Sequence, residues 1–520
     1  MKKNLLLTAA FCASLFANET SAQTRYLDEV FTSVTVSSNV VYGNNKAVLT
    51  GVPADTNLLM DVYEPAGDSL VNRPLILYLV TGSFLPRYIN QSATGSKTDS
   101  ATVEICTRLA KQGYVVAAVD YRKGWNPAET DTDNRTQSIL QAVYRGLQDA
   151  KTCVRYFRKD VATNGNSYGI DYTKIAVGGQ GSGGYISLAY ASLDKLSEIQ
   201  LQKFFNNTTN EYMVNPDIMG SWNGLGGNSG LNTNNHYGYS DNISMVFNIG
   251  GAVGDSIWIE DGEMPIITMQ GQADYFAPFQ YGIVTVPGTT VFVIDVSGSS
   301  DISRMANAFG NNDVFKTPAI TDAYTTRAND FNTANDATYG NAGDEGLFAF
   351  EGAANGNGPW EWIDTAAVKA EAVAWGQDGD VILDNFYAAN PVFEYLYVTA
   401  GYGAARARAI AYCDTIQGYL SPRLYRGLIE QPFFVGVKEF STSEVSVYPN
   451  PATDQISFVS EDSNPISSII FYSLEGKVVR TESNINATNI VVSNLDLPKG
   501  IYFANVRFKE GTTVKKIVIQ

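Results

Sequence analysis

Histidine is almost missing: His236 is the only one in 520 residues. Zinc sites built on several imidazoles are excluded. A hydrolytic triad would have to use His236 or no histidine at all. Positive charge is also short, with 36 Lys and Arg against 53 Asp and Glu, a formal net charge of −17. A nucleic-acid groove needs the opposite sign to release counterions, so no nucleic-acid partner is expected. An anionic membrane surface is a poor partner for the same reason. No stretch has about 18 uninterrupted apolar residues, which predicts a soluble mature chain. Apolar residues, at 44%, are ample for a core. At roughly 100–200 residues per domain the length implies two to four domains, or one large domain with an appendage.

Cysteine is scarce too. Cys12 lies in an N-terminal stretch that reads as a secretory signal over residues 1–22. Lys2 and Lys3 give its charged start, Leu5 to Phe16 its short apolar run, and Ser21-Ala22 a small-residue cleavage point. Cys106, Cys153 and Cys413 remain, all on predicted helices and none in CxxC spacing. An odd number allows at most one bridge within the chain. Buried small hydrophobes are the expected role.

The chain changes character near residue 439. Short alternating or apolar runs at Ile456–Val459, Ile469–Tyr472, Lys477–Arg480, Ile490–Val492, Ile501–Arg507 and Lys515–Ile519 are separated by turn residues such as Asn450-Pro451 and Pro498-Lys499-Gly500. Strands at this spacing predict a small β-sandwich. Val447-Tyr448-Pro449-Asn450-Pro451, Leu474-Glu475-Gly476-Lys477, Leu497-Pro498-Lys499-Gly500-Ile501-Tyr502 and Lys515-Lys516-Ile517-Val518-Ile519 together resemble the type A C-terminal sorting domain of the type IX secretion system. The resemblance covers about 75 residues, placed at 439–520. It implies the type IX machinery as partner and export through the periplasm and outer membrane. It also implies release of the tail or its attachment to surface lipopolysaccharide.

Residues 23–438 alternate strand and helix patterns, which predicts an α/β domain with a mostly parallel sheet covered on both faces. Expected strands are Leu58–Tyr63, Leu75–Val80, Tyr114–Asp120, Ile175–Gly178, Met245–Ile249, Pro265–Met269 and Thr290–Val296. Ile139, Val143, Leu147, Ala150, Val154 and Phe157 recur at steps of three and four, the apolar face of a long helix. Further helices are expected at Asp99–Lys111, Tyr185–Leu193 and Ala404–Leu420.

Met60-Asp61-Val62-Tyr63-Glu64-Pro65, Val119-Asp120-Tyr121-Arg122 and Gln148-Asp149-Ala150, in this order, resemble the carboxylesterase and lipase side of the α/β-hydrolase fold, over roughly residues 60–300. That family places a nucleophile on a Gly-x-Ser-x-Gly turn between strand and helix. The matching frame here is Gly179-Gln180-Gly181-Ser182-Gly183, with glycine where the nucleophile belongs and Ser182 one residue late. Three readings stay open: Ser182 as a displaced nucleophile, a turn around Gln180 and Gly181 kept to bind an anion or oxygen, or glycines kept for packing. Val80-Thr81-Gly82-Ser83-Phe84 matches the family's oxyanion loop, with Val80 at its histidine position and Gly82 and Ser83 able to donate N–H groups. Asp274, in Gln270-Gly271-Gln272-Ala273-Asp274, matches the catalytic acid; its plainer role is a capping or solvated carboxylate. The base is expected after the next strand, at Val296-Ser297-Gly298-Ser299-Ser300-Asp301, where no histidine stands. His236 precedes the acid strand, out of the family's chain order, and reads as a surface residue.

Six tryptophans and the cluster Gly358-Pro359-Trp360-Glu361-Trp362 could stack on a sugar or apolar ligand, although core packing is the favoured role of such rings. Acidic and amide residues at Asn311–Asp313, Asp330–Asp336 and Asn341–Glu345 do not fit an EF-hand and read as solvated turns. No metal or cofactor is expected. Two functions stay open: a catalytically degenerate, ligand-binding surface protein taking a small ester, lipid or glycan, or an ester hydrolase with a non-standard site near Ser182 and Asp274.

Overall fold

The computed structural model describes residues 24–90, 94–287, 289–351, 362–389, 402–430, 445–460, 465–473, 478–483, 485–493, 497–508 and 511–520. The proposed signal, Trp360 and the Leu474–Lys477 motif lie outside them. The chain divides into two compact units at about residue 434.

Apolar runs without alternation build the centre of the larger unit. The strands are β1 (Val34–Ala47), β2 (Ala54–Pro65), β3 (Arg73–Leu79), β4 (Val115–Val119), β5 (Ile170–Gln180), β6 (Met245–Ile249), β7 (Ile266–Gly271) and β8 (Leu347–Phe350). They form one sheet in the order β1-β2-β4-β3-β5-β6-β7-β8. The β1–β2 and β2–β4 pairs are antiparallel and the rest are parallel. Every residue of β3, β4 and β6 is buried, as expected of parallel strands covered on both faces.

Helices α1 (Ser100–Lys111), α2 (Thr132–Thr163), α3 (Ser182–Ser192) and α4 (Tyr402–Tyr425) supply the cover. On one face Ile76, Tyr78 and Phe247 share a core with Ile105 and Leu109 of α1 and Ile416 and Tyr419 of α4. Side chains alternate along a strand, so Leu77 and Leu79 point the other way. There α3 lies on Leu79, and α2 packs on α3 through Gly146, where a Cβ would collide with Ile186. Asp131 caps α2 by accepting from Asn134 N at 2.9 Å. Asp99, at the N-cap of α1, instead pairs with Arg87 and accepts from the N–H groups of Gly95 and Ser96.

The sheet corrects one expectation. Phe292–Val296 is not a sheet strand; it pairs only with Gly282–Thr285 in a separate hairpin. The last strand is Leu347–Phe350, parallel to β7. Two aromatics and four residues in all gave it too little period to stand out in the sequence. The loop in which the family's base would stand therefore starts at Glu351, and runs into residues outside the described ones. Its sequence, Glu351 to Glu361, has no histidine either.

The three cysteines are buried and free. Among the described residues no helix is long and apolar enough to cross a membrane. The smaller unit has a three-stranded and a four-stranded antiparallel sheet, with Phe458 of one against Phe471 of the other at 5.9 Å between ring centroids. All six expected tail strands form there, lengthened by a residue or more.

One buried ion pair ties the end of β4 to α2. Arg122 and Asp149 are both almost fully enclosed, and Arg122 reaches the carboxylate through Nε and its own backbone N–H, at 2.9 and 2.8 Å. Removing one partner leaves an uncompensated buried charge, which costs about 3–5 kcal/mol. Asp149→Ala should therefore lower the unfolding free energy in urea by about that amount; a loss under 1 kcal/mol would contradict this role.

Candidate active site

The end of strand β5 carries Gly178 and Gly179, and Gly181 and Gly183 follow in the turn and the first helical residues, because nothing larger fits at these positions. A Cβ on Gly178 would strike the Phe247 ring at 2.2 Å. On Gly179 it would meet the Gly183 backbone at 2.5 Å, and on Gly183 the Leu79 carbonyl oxygen at 2.1 Å. The glycines thus let α3 start directly against β3 and β5. Between them Gly181 takes φ 53° and ψ −116°, at the N-cap of α3. A left-handed φ with this ψ suits glycine alone without strain. It is the strained strand-to-helix turn on which a nucleophile is held, here with no side chain to hold.

Ser182, the next residue, is turned toward Tyr121. It is 5% exposed, and its Oγ lies 2.8 Å from Tyr121 Oη. Tyr121 also donates to Val80 O at 2.9 Å. Its one hydrogen is thereby used, so the Ser182 hydroxyl is the donor in their shared bond. Burial holds the Tyr121 phenol far above its usual range, the Ser182 bond opposing this in part. Gln180 is buried as well, and its Oε1 accepts from Tyr78 Oη at 3.2 Å.

The facing loop follows β3. Gly82, Ser83 and Phe84 all have left-handed φ, at 127°, 52° and 56°. Gly82 sits against Gly95, whose Cα would be 2.7 Å from an added Cβ. Trp125 Nε1 donates to Ser83 O at 2.8 Å, and Phe84 packs on Tyr121 and Tyr185 at 6.1 and 6.4 Å. Trp125 therefore braces the loop, a role its position in the sequence did not signal.

Asp274 follows β7 and turns back on its own loop, with Oδ1 accepting from Phe276 N at 2.8 Å and Ala277 N at 3.3 Å. The residue is half-buried, and desolvation pushes its carboxyl up to about 6 against the opposing pull of those N–H groups and of the Gln270 side chain. Gln270 braces the same loop, donating to Ala277 O at 2.7 Å and accepting from Ser299 N. Tyr185 reaches toward Phe276 O at 3.4 Å, and Asp274 adds to the rise in its pKa that burial causes first. The structure thus gathers Gly82, Ser83, Gln180, Gly181 and Ser182 around the ends of β3 and β5. Asp274 borders them through Tyr185.

His236 takes no part. Its Nε2–H donates to Tyr42 O at 2.7 Å, and burial lowers its pKa. It is half-buried against β1 rather than a free surface residue. Trp258 is core: it is buried, packs on Phe204 and donates to Glu198 O. Among the described residues no group of His, Cys, Asp or Glu could hold a metal ion. An open groove of about 420 Å³, lined in part by Arg327, Asp330, Phe331 and Glu351, lies beside the end of β8 and includes none of the expected site residues.

Sheet order, antiparallel second strand and strand-to-helix turn define the larger unit as an α/β-hydrolase domain of esterase-like type. Residues 60–225 match the family described as BD-FAE. Residues 446–520 match the secretion system C-terminal sorting domain. The chain therefore carries an esterase-like domain and a type IX sorting tail, and is exported to the cell surface or beyond. Curated proteins give no match. Similar solved structures include Thermogutta terrifontis esterase 2 phosphorylated by paraoxon, at 17% identity and TM-score 0.33 over 62% of this chain and 84% of that one. The apo form of the same esterase gives 16% and 0.33 over 61% and 84%. Superpositions this loose bear on neither site nor chemistry.

The Asp274 environment has a measurable sign. A carboxyl raised from its usual value near 4 to about 6 makes the folded state bind the proton more tightly. The stability this contributes is complete below pH ~4 and is lost as pH rises to about 6. Asp274→Asn keeps the turn acceptor and removes the titration. Its stability relative to the parent should rise between pH ~4 and ~6 and stay level on either side. Urea midpoints at four pH values test this, and a difference independent of pH would sink it.

Proposed function

We propose that the exported domain binds a small ester, lipid or glycan ligand at the cell surface and does not hydrolyse it through the elbow. The observation that carries this reading is Gly181, in the nucleophile's backbone conformation with no nucleophile. Two further facts support it. The Ser182 hydroxyl is committed to a buried tyrosine, and the only histidine is committed to Tyr42 O. A serine without an adjacent base is a weak nucleophile. Loss of nucleophile and base together removes roughly 10⁶-fold in kcat where it has been measured. In this reading residues 1–22 are the export signal, 23–438 the binding domain and 439–520 the sorting tail. The tail then leaves the protein released or attached to surface lipopolysaccharide.

A second reading is an ester hydrolase using Ser182 and Asp274. It is favoured by one fact: Asp274 follows β7 with a carboxyl near 6, poised for proton transfer around neutral pH. Hydrolysis of 4-nitrophenyl acetate and butyrate by the full chain separates the two. The binding reading predicts rates equal to buffer. Turnover abolished by both Ser182→Ala and Asp274→Asn, and rising through pH ~6, would establish the second reading instead.

A further inference from the structure

A side chain does reach the empty place in the elbow, but from the opposite loop. A Cβ built on Gly181 would stand 2.3 Å from Thr81 Oγ1 and 3.4 Å from Thr81 Cβ. Among the described residues no other atom beyond its chain neighbours comes within 4 Å. A serine hydroxyl at 181 would extend from that same Cβ, so the Thr81 hydroxyl fills the region where the nucleophile's oxygen would begin. Thr81 is half-buried at the end of β3, next to the left-handed turn Gly82-Ser83-Phe84 that faces the elbow. The exchange is reciprocal. Thr81 Oγ1 leaves no room for a side chain at 181, and glycine at 181 leaves room for the Thr81 hydroxyl.

We propose that Thr81 is the ligand-contacting hydroxyl of this site, donating a hydrogen bond through Oγ1 to the carbonyl or carboxylate oxygen of an acyl ligand. This rests on the binding reading above and names its ligand chemistry. A hydroxyl can both donate and accept, and its rotation suits an ester carbonyl or a free carboxylate. Having no base within the assigned geometry, it acts as a donor to bound oxygen and forms no covalent bond.

Two measurements on the full chain test this. The first is geometric. Gly181→Ser carries backbone strain in any background, and beside Thr81 it adds a steric clash. It should lower Tm by about 3 °C more in the parent than in a Thr81→Ala background. Equal losses in both would overturn the claim that Thr81 fills this place. The second is binding of butyrate and of ethyl butyrate, followed by saturation-transfer NMR. The parent and Thr81→Ser should bind, and Thr81→Val, which keeps the shape and removes the hydroxyl, should weaken binding at least fivefold. Binding of the butyrates unchanged in Thr81→Val overturns the Thr81 assignment and leaves the binding reading standing. Absence of binding by the parent overturns the acyl-ligand assignment. Conversion of ethyl butyrate to butyrate and ethanol by the parent, lost in Thr81→Val, would keep Thr81 as the site's hydroxyl and overturn the non-hydrolytic reading instead.

Discussion

The start of α3 lies so close to β3 and β5 that no Cβ fits between them. Gly183 rests against the Leu79 carbonyl, and Gly179 against Gly183. This approach fixes the direction of the helix and forces the reversal at Gly181. It also sets what faces the elbow, because Leu79 leads straight into Val80 and Thr81. Interiors are packed like crystals, so a contact of this kind is transmitted rather than absorbed. The elbow survives because the packing needs its glycines, whatever chemistry occupies it.

Electrostatics around the elbow serve the scaffold. Arg122 and Asp149 close the end of β4 onto α2, and Arg145 nearby is lowered to about 9, by burial first and by Arg122 second. Arg87, Asp99 and Gly95 form a second brace behind Gly82. The polar groups that could have served a reaction are similarly engaged: Ser182 with Tyr121, His236 with Tyr42, and Gln180 with Tyr78. A buried polar group without a partner is costly, and each of these has found one close by. Asp274, at the end of β7, is held by the N–H groups of Phe276 and Ala277 and by the Gln270 side chain.

Much of this was legible. The period of α2, the unbroken apolar runs of β3, β4 and β6, the sorting tail's turns and the Gly179–Gly184 cluster all declare themselves, because local spacing and burial are written residue by residue. The substitution of glycine for the nucleophile is equally plain. Other parts were not. Leu347–Phe350 is too short to be told from a loop, while Phe292–Val296 has a strand's pattern and none of its place in the main sheet. Trp125 became a brace of the oxyanion-type loop only through a contact 42 residues away.

The sequence by itself determined the two-part plan, the export tail, the hydrolase-like order of strands from β2 to β7, and the absence of a histidine where a base would stand; β1 (Val34–Ala47) was not among the expected strands. The plan and the missing histidine follow from composition and from periods read over a few neighbouring residues, whereas the tail and the strand order follow from short motifs that resemble those of known families. Only the tertiary structure decided which way Ser182 points, that Thr81 stands in the place left open at Gly181, that His236 is tied to β1, and which strand closes the sheet. Each of these is set by segments far apart in the chain meeting across a few ångströms, and no local pattern encodes that meeting.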